Sequence, residues 1–215
     1  MSFQERGRST RVRWRPISPP ALPIALAERL VCIDGVVRVA MDGPPCAHPD
    51  ALTETMIEPL RALGRETIHV RSQLFWRDAS LRLEHGREDV ESYLDWLDAA
   101  ALSREVLEPI ATAGAYLPSL RDPRTNRSTR EAVRHTTANA ILVVSGELLL
   151  GLGLPFDLAV HLTMSHAARA RHTADEDAWT LPAFQRYDAA TKPSEVADIV
   201  VRMDDSRHPA VRGLA

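Results

Sequence analysis

Lysine is almost missing: Lys192 is the one lysine among 26 basic residues, and the other 25 are arginines. Any chemistry that needs a primary amine has a single side chain to draw on, far along the chain. Cysteine is scarce too. Cys32 and Cys46 make no C-x-x-C pair and no disulfide framework, the usage expected of a reducing cytoplasmic protein. No apolar run approaches the ~20 residues of a membrane span. The N-terminal stretch MSFQERGRSTRVRWRP carries arginines but no apolar segment, so it is not expected to be a secretory signal. Neither sign of charge is in excess. A net charge of −3 with 45% hydrophobic residues suits an ordinary globular domain and argues against nucleic-acid and membrane partners.

What is present is an alternation of two periodicities. Residues 1–16 are expected to form an arginine-rich flexible tail, 17–34 a proline-started helix, 35–207 one α/β domain and 208–215 a C-terminal tail. Within the domain, VVRVAMDG (36–43) and ETIHVRS (66–72) have strand character, and between them PDALTETMIEPLRALG (49–64) has apolar residues at helical spacing, Leu52, Met56, Leu60 and Leu63. Residues 88–114 are expected to be helical with a break near Asp98, and 115–130 to be a polar excursion. NAILVVSG (139–146), FDLAVHLTM (156–164) and ADIVVRMDD (197–205) are continuous apolar runs of the kind buried on both faces of a parallel sheet, separated by helical stretches 165–173 and 180–196. Five such strands alternating with helices predict a doubly wound, mainly parallel five-stranded sheet with helices on both faces. Ligands in such folds sit at the carboxyl ends of the strands, which directs attention to the turns after Met41, Ser72, Val144 and Met164.

The order of pieces resembles the uridine kinase-like P-loop proteins. A strand ending in DG (42–43), a helix ending PLRALGR (59–65), ILVVSGELLLG (141–151), FDLAVHL (156–162), ARARH (168–172) and FQRYDAATKPSEVADIVVRMDD (184–205) follow that family's sequence of elements over residues 35–207. ASLRLEHGR (79–87) and LPFDLAVHL (154–162) are most similar to the actinobacterial uridine kinase-like proteins. The resemblance implies an ATP-dependent nucleoside kinase whose first loop reads GxxxxGK[ST]. Aligned from Gly43, the second glycine falls on His48, the lysine on Pro49 and the hydroxyl residue on Asp50. The aspartate that follows the family's second strand falls on Gln73, and the acid of its LVVDG strand on Ser145, with Glu147 two residues beyond as a substitute.

A phosphate loop works through backbone N–H groups converging at a helix N-terminus. Pro44, Pro45 and Pro49 have no N–H to offer. Asp50 adds a negative charge where phosphate would lie, about 4 kcal/mol of repulsion at roughly 4 Å separation and an effective dielectric of about 20. The same residues start a helix well without a ligand: His48 or a neighbour as cap, Pro49 in the first turn, Asp50 at the positive end of the dipole.

The resemblance also places Arg82, Glu84, His85 and Arg87 by the substrate pocket, Asp98, Asp122 and Thr125 on remnants of two family turns, and Arg169 and Arg171 on a phosphate-contacting lid. VVSGE around Ser145 lacks the GxSxG elbow of a hydrolase. Cys46, His48 and Asp50 make a weak metal trio, and no metal site is expected. Trp76 and Trp96 flank the expected pocket as core or rim residues. The resulting expectation is a degenerate member acting as a ligand-sensing or protein-interaction module, needing no cofactor. Its partners would be a nucleoside or small polar metabolite, another protein or a second copy. The alternative is an active nucleoside or small-alcohol kinase with a rearranged phosphate site, using ATP and Mg²⁺.

Overall fold

The structure, a computed structural model, describes residues 13–214. Most of the arginine-rich tail expected over 1–16 therefore lies outside the described residues. Among those described, seven strands form one sheet: β1 (Arg15–Pro16), β2 (Val37–Asp42), β3 (Thr67–Arg71), β4 (Ile141–Gly146), β5 (Leu158–Thr163), β6 (Ile199–Arg202) and β7 (Ala210–Arg212). Their spatial order is β1-β7-β6-β5-β2-β4-β3. The five strands from β2 to β6 are parallel and match the five expected from sequence, each to within a few residues. The two additions, β1 and β7, are antiparallel and too short to show periodicity. The expected C-terminal tail thus contributes a strand: Val211 opposite Val201 is fully buried. Trp14 beside it is flanked by the guanidinium groups of Arg202 and Arg212, 4.3 and 5.4 Å from its ring.

Alternation along the strands sorts side chains onto two faces. Val37, Val39 and Met41 of β2, Ile141 and Val143 of β4, and Val160 and Leu162 of β5 meet α1 (Ala21–Val31) and α2 (Pro49–Ala62). Met56 and Leu60 of α2 are fully buried there, each worth about 1.5–3 kcal/mol of burial. Leu63, by contrast, lies past the end of α2 and is exposed; Gly64, at φ 77°, turns the chain away. On the opposite face, Leu142 and Val144 meet Leu102, Val106 and Ile110, from a helical run that passes through a π-turn at Ser103–Leu107. Ala40 meets Tyr93, Trp96 and α4 (Leu181–Ala190), which follows α3 (His166–His172).

The break expected near Asp98 separates the helical turns Val90–Leu94 and Ala99–Leu102. The excursion after residue 114 is two small hairpins, Ala115–Tyr116 with Arg134–His135 and Arg121–Asp122 with Arg127–Ser128. No helix among the described residues is long and apolar enough to cross a membrane.

Candidate functional site

The chain leaves β2 through Asp42 and Gly43. A Cβ on Gly43 would come within 2.8 Å of the Leu162 side chain, so glycine is needed for close packing. Pro44 is extended, Pro45–Ala47 form a single 3₁₀ turn, and His48 takes a left-handed conformation at φ 56°, normally a glycine's place. No side chain caps α2, which corrects the expected capping by His48; helix initiation rests on Pro49 and on Asp50 in the first turn. Gly43 N–H donates to Gly146 C=O, Ala47 N–H to Pro44 C=O and His48 N–H to Pro45 C=O. With Pro44, Pro45 and Pro49 lacking an N–H, six of the eight backbone positions from 43 to 50 have no amide to offer a ligand.

Beneath this turn Asp50 accepts a short hydrogen bond from the fully buried Ser145 Oγ, and His69 Nε2 lies 2.7 Å from the same oxygen. Because Ser145 gives its hydrogen to the carboxylate, His69 must donate its Nε2–H to the hydroxyl. Burial lowers the His69 pKa, against the pull of Asp50, and favours the neutral ring. Ser145 therefore does have histidine and aspartate partners, which its local sequence conceals. The order is wrong for an activated nucleophile, because the carboxylate binds the hydroxyl directly instead of orienting the imidazole. Arg71 closes the cluster, 3.5 Å from Asp50 and 2.6 Å from Glu54. Asp50 and Ser145 thus carry a carboxylate and a hydroxyl in the reverse of the positions the resemblance assigns to them.

The turn after β4 is built differently. Gly146 has φ 154°, and a Cβ there would fall 1.8 Å from Ser72 Oγ; Leu148 is left-handed at φ 58°. Between them Glu147 is buried at 6% exposure. Its carboxylate accepts from Tyr93 Oη at 3.3 Å, and Gln73 lines the two hollows beside it. Burial pushes its pKa up to about 7, with the charge of Asp50 adding to the rise and the hydrogen bonds opposing it. The turn is tethered from below by the buried Asp42 of β2. One Asp42 oxygen accepts from Leu149 N–H at 2.9 Å; the other meets His161 Nδ1 at 2.6 Å and Tyr187 Oη at 3.0 Å. Tyr187 Oη in turn accepts from Leu150 N–H.

Glu147 opens onto two hollows. One, of about 290 Å³, lies towards Asp50, Glu54 and Arg71. The other, about 470 Å³, is aromatic. Its floor is Glu147, Tyr93, Trp96 and Phe184, all buried, and its walls include the half-buried Trp76, Trp179 and Gln73. Tyr93 packs edge-to-face on Trp96 and Trp179 at 4.9 and 5.2 Å. Arg87, His172, Asp177 and His48 are exposed at the rim.

Gly43, His48, Pro49, Asp50, Gln73, Ser145 and Glu147 therefore converge on adjoining strand ends, and Arg87 joins them across the cavity. Arg82, Glu84 and His85 line a separate cleft of about 330 Å³. Arg82 is buried behind the aromatic wall, its guanidinium 5.2 Å from Trp76 and 4.8 Å from Trp96. Asp98 caps a helical turn by accepting from Ala101 N–H at 2.9 Å, and Asp122 caps the hairpin turn that holds the exposed Thr125. Arg169 is buried in an ion pair with Asp188 at 2.8 Å, while Arg171 is exposed. Of these, Arg169 and Arg171 lie on α3, which packs against the Pro45–Ala47 turn. No cluster of three metal-ligating side chains occurs among the described residues, so Cys46, His48 and Asp50 form no such group. Sequence reasoning missed Tyr93, Trp179, Asp42 and His161, whose partners lie far away in the chain.

No family model matches the sequence, and no curated protein matches it. Solved structures do. A possible uridine kinase from Bacillus stearothermophilus superposes with a TM-score of 0.69 at 16% identity, over 84% of this chain and 97% of that one. A candidate fructose transport system kinase from Silicibacter sp. TM1040 gives 0.55 at 18% identity, over 84% and 95%. The YGR205w protein gives 0.56 at 9% identity, over 91% and 99%. The chain has the fold of the uridine kinase-like P-loop kinases.

Proposed function

We propose that this protein binds a small molecule in its aromatic cavity without ordinary ATP-dependent phosphotransfer, and acts as a ligand-sensing or protein-interaction module in the cytoplasm. The observation that carries this reading is the 43–50 turn, six of whose eight amide positions are proline or internally bonded and whose Asp50 is engaged by Ser145 and Arg71. The residues do not fit a magnesium triphosphate. Asp50 and Glu54 set negative charge at the start of α2, where phosphate oxygens would lie, and the single positive charge of Arg71 is shared between the two carboxylates. Titration calorimetry with ATP·Mg²⁺ tests it. The expected result is no phosphate-dependent heat at micromolar to millimolar nucleotide; micromolar binding that depends on the phosphates would overturn it.

One observation favours a second reading, a nucleoside or small-alcohol kinase with a rearranged site. Glu147 is a buried carboxyl at a strand end with a pKa of about 7, a value suited to taking a proton from an acceptor hydroxyl. The descriptions of the neighbours point to nucleoside or sugar acceptors under this reading. It requires labelled γ-phosphate to reach an acceptor from a nucleoside, sugar and vitamin panel, with the transfer lost in Glu147→Gln. An empty panel contradicts it.

A further inference from the structure

We infer that the aromatic cavity takes a small organic cation, a protonated amine or amidine on a ring, with its charge against Glu147 and its ring against Trp76, Trp96 and Trp179. This rests on the small-molecule reading above and names the ligand class.

Three observations point the same way. The first is the distribution of charge. Among the described residues that line the cavity, the buried ionisable groups are Glu147 and the phenol Tyr93, while Arg87, His172, His48 and Asp177 are exposed at the rim. A ligand group reaching the floor meets a carboxyl and aromatic faces, and no cation is among the cavity's own buried lining residues. An anion there is repelled and a cation attracted. The second is that the same aromatic cluster already holds a planar cation: Arg82, which lines the separate cleft and not this cavity, sits 4.8 and 5.2 Å from the rings of Trp96 and Trp76. The third is the backbone. Gly146 and Leu148 adopt φ of 154° and 58° on either side of Glu147, and Asp42 and Tyr187 fasten the next two amides. That construction holds a carboxyl in a position where its charged form is disfavoured unless a positive partner arrives.

The titration of Glu147 gives the inference a signature. Tyr93 bonds it, Gln73 lies beside it, Asp50 faces it from α2, and His48, His172, Arg87 and Asp177 stand at the cavity mouth. Free Glu147 is about half protonated near pH 7. Binding a cation favours the carboxylate, so the site must release a proton on binding below that pH.

Tryptamine and its neutral counterpart tryptophol, which exchange an ammonium for a hydroxyl on one indole frame, are the probes for calorimetry on the full chain. At pH 8 tryptamine is expected to bind about tenfold or more tightly than tryptophol, with an affinity falling about tenfold per pH unit below 7. Titration in two buffers of different ionisation enthalpy should show proton release for tryptamine alone. In Glu147→Gln, with folding checked by thermal melting, the preference for the amine should vanish while tryptophol affinity stays. Equal, pH-independent binding of both probes overturns the cation inference and leaves the small-molecule reading standing. Binding of neither overturns the cation inference, and if a wider metabolite panel also fails to stabilise the fold, the small-molecule reading falls with it.

Discussion

The turns after β2 and β4 begin on neighbouring strands and share the hydrogen bond from Gly43 N–H to Gly146 C=O, yet they are built on opposite principles. The first largely satisfies itself: six of its eight amide positions are proline or internally bonded, and its acid has a hydroxyl and a guanidinium for partners. The second keeps an unsettled group: Glu147 is buried, held by two unusual backbone conformations, and half-charged near neutrality. Under the reading proposed above, the turn after β2 holds no phosphate and the group that answers a ligand lies one strand away.

The contrast can be broken at the tether beneath the second turn. Asp42→Ala leaves His161, Tyr187 and the Leu149 amide without their shared acceptor, and should cost about 3–5 kcal/mol in urea unfolding. A loss below about 1 kcal/mol would show that the tether is dispensable.

The first turn is tested by restoring its charges to the other order. Ser145→Asp alone brings two carboxylates together and should cost on the order of 3 kcal/mol. Adding Asp50→Ser should recover more than half of that, because the hydroxyl–carboxylate pair is rebuilt in reverse. A double variant no more stable than the single one would mean that the pair is not what holds this corner.

Glu147 sharpens the comparison through pH. Its folded pKa of about 7 lies above the ordinary 4.5, so between those values the folded state holds more protons than the unfolded chain. Stability from this group is full below pH 4.5 and lost as pH rises through 7. Glu147→Gln should therefore gain about 1–3 kcal/mol at pH 8 and little at pH 4, read from unfolding curves at the two pH values. An equal effect at both would contradict the buried, proton-holding carboxyl. The smallest effect belongs to the rim of the first turn: Arg71, half exposed, should lose under about 1 kcal/mol on change to alanine.

Much of the scaffold was legible from sequence, because strands buried on both faces leave apolar runs that helices interrupt. The five parallel strands and the break at Asp98 follow from such local signals. The site was legible only in part. Proline's missing N–H is a property of the residue itself, so the absence of three amide donors from the first turn could be read from Pro44, Pro45 and Pro49. The partners of Ser145, by contrast, sit 76 and 95 residues away, and Asp42 meets His161 across 119. No local pattern encodes those pairings. The aromatic cavity draws Trp76, Tyr93, Trp96 and Trp179 from separate segments, so Trp179 carried no signal of its own. Glu147 was legible as a substitute acid beside a strand end, but its burial was not, because the residues that cover it come from distant segments.

The division between the two turns is tested most directly by comparing the affinities of adenosine and ATP·Mg²⁺ under the same conditions. A first turn unable to hold phosphate leaves the two within about threefold of each other, or leaves both without measurable binding. ATP·Mg²⁺ binding more than about tenfold tighter than adenosine, some 1.4 kcal/mol drawn from the phosphates, would contradict it.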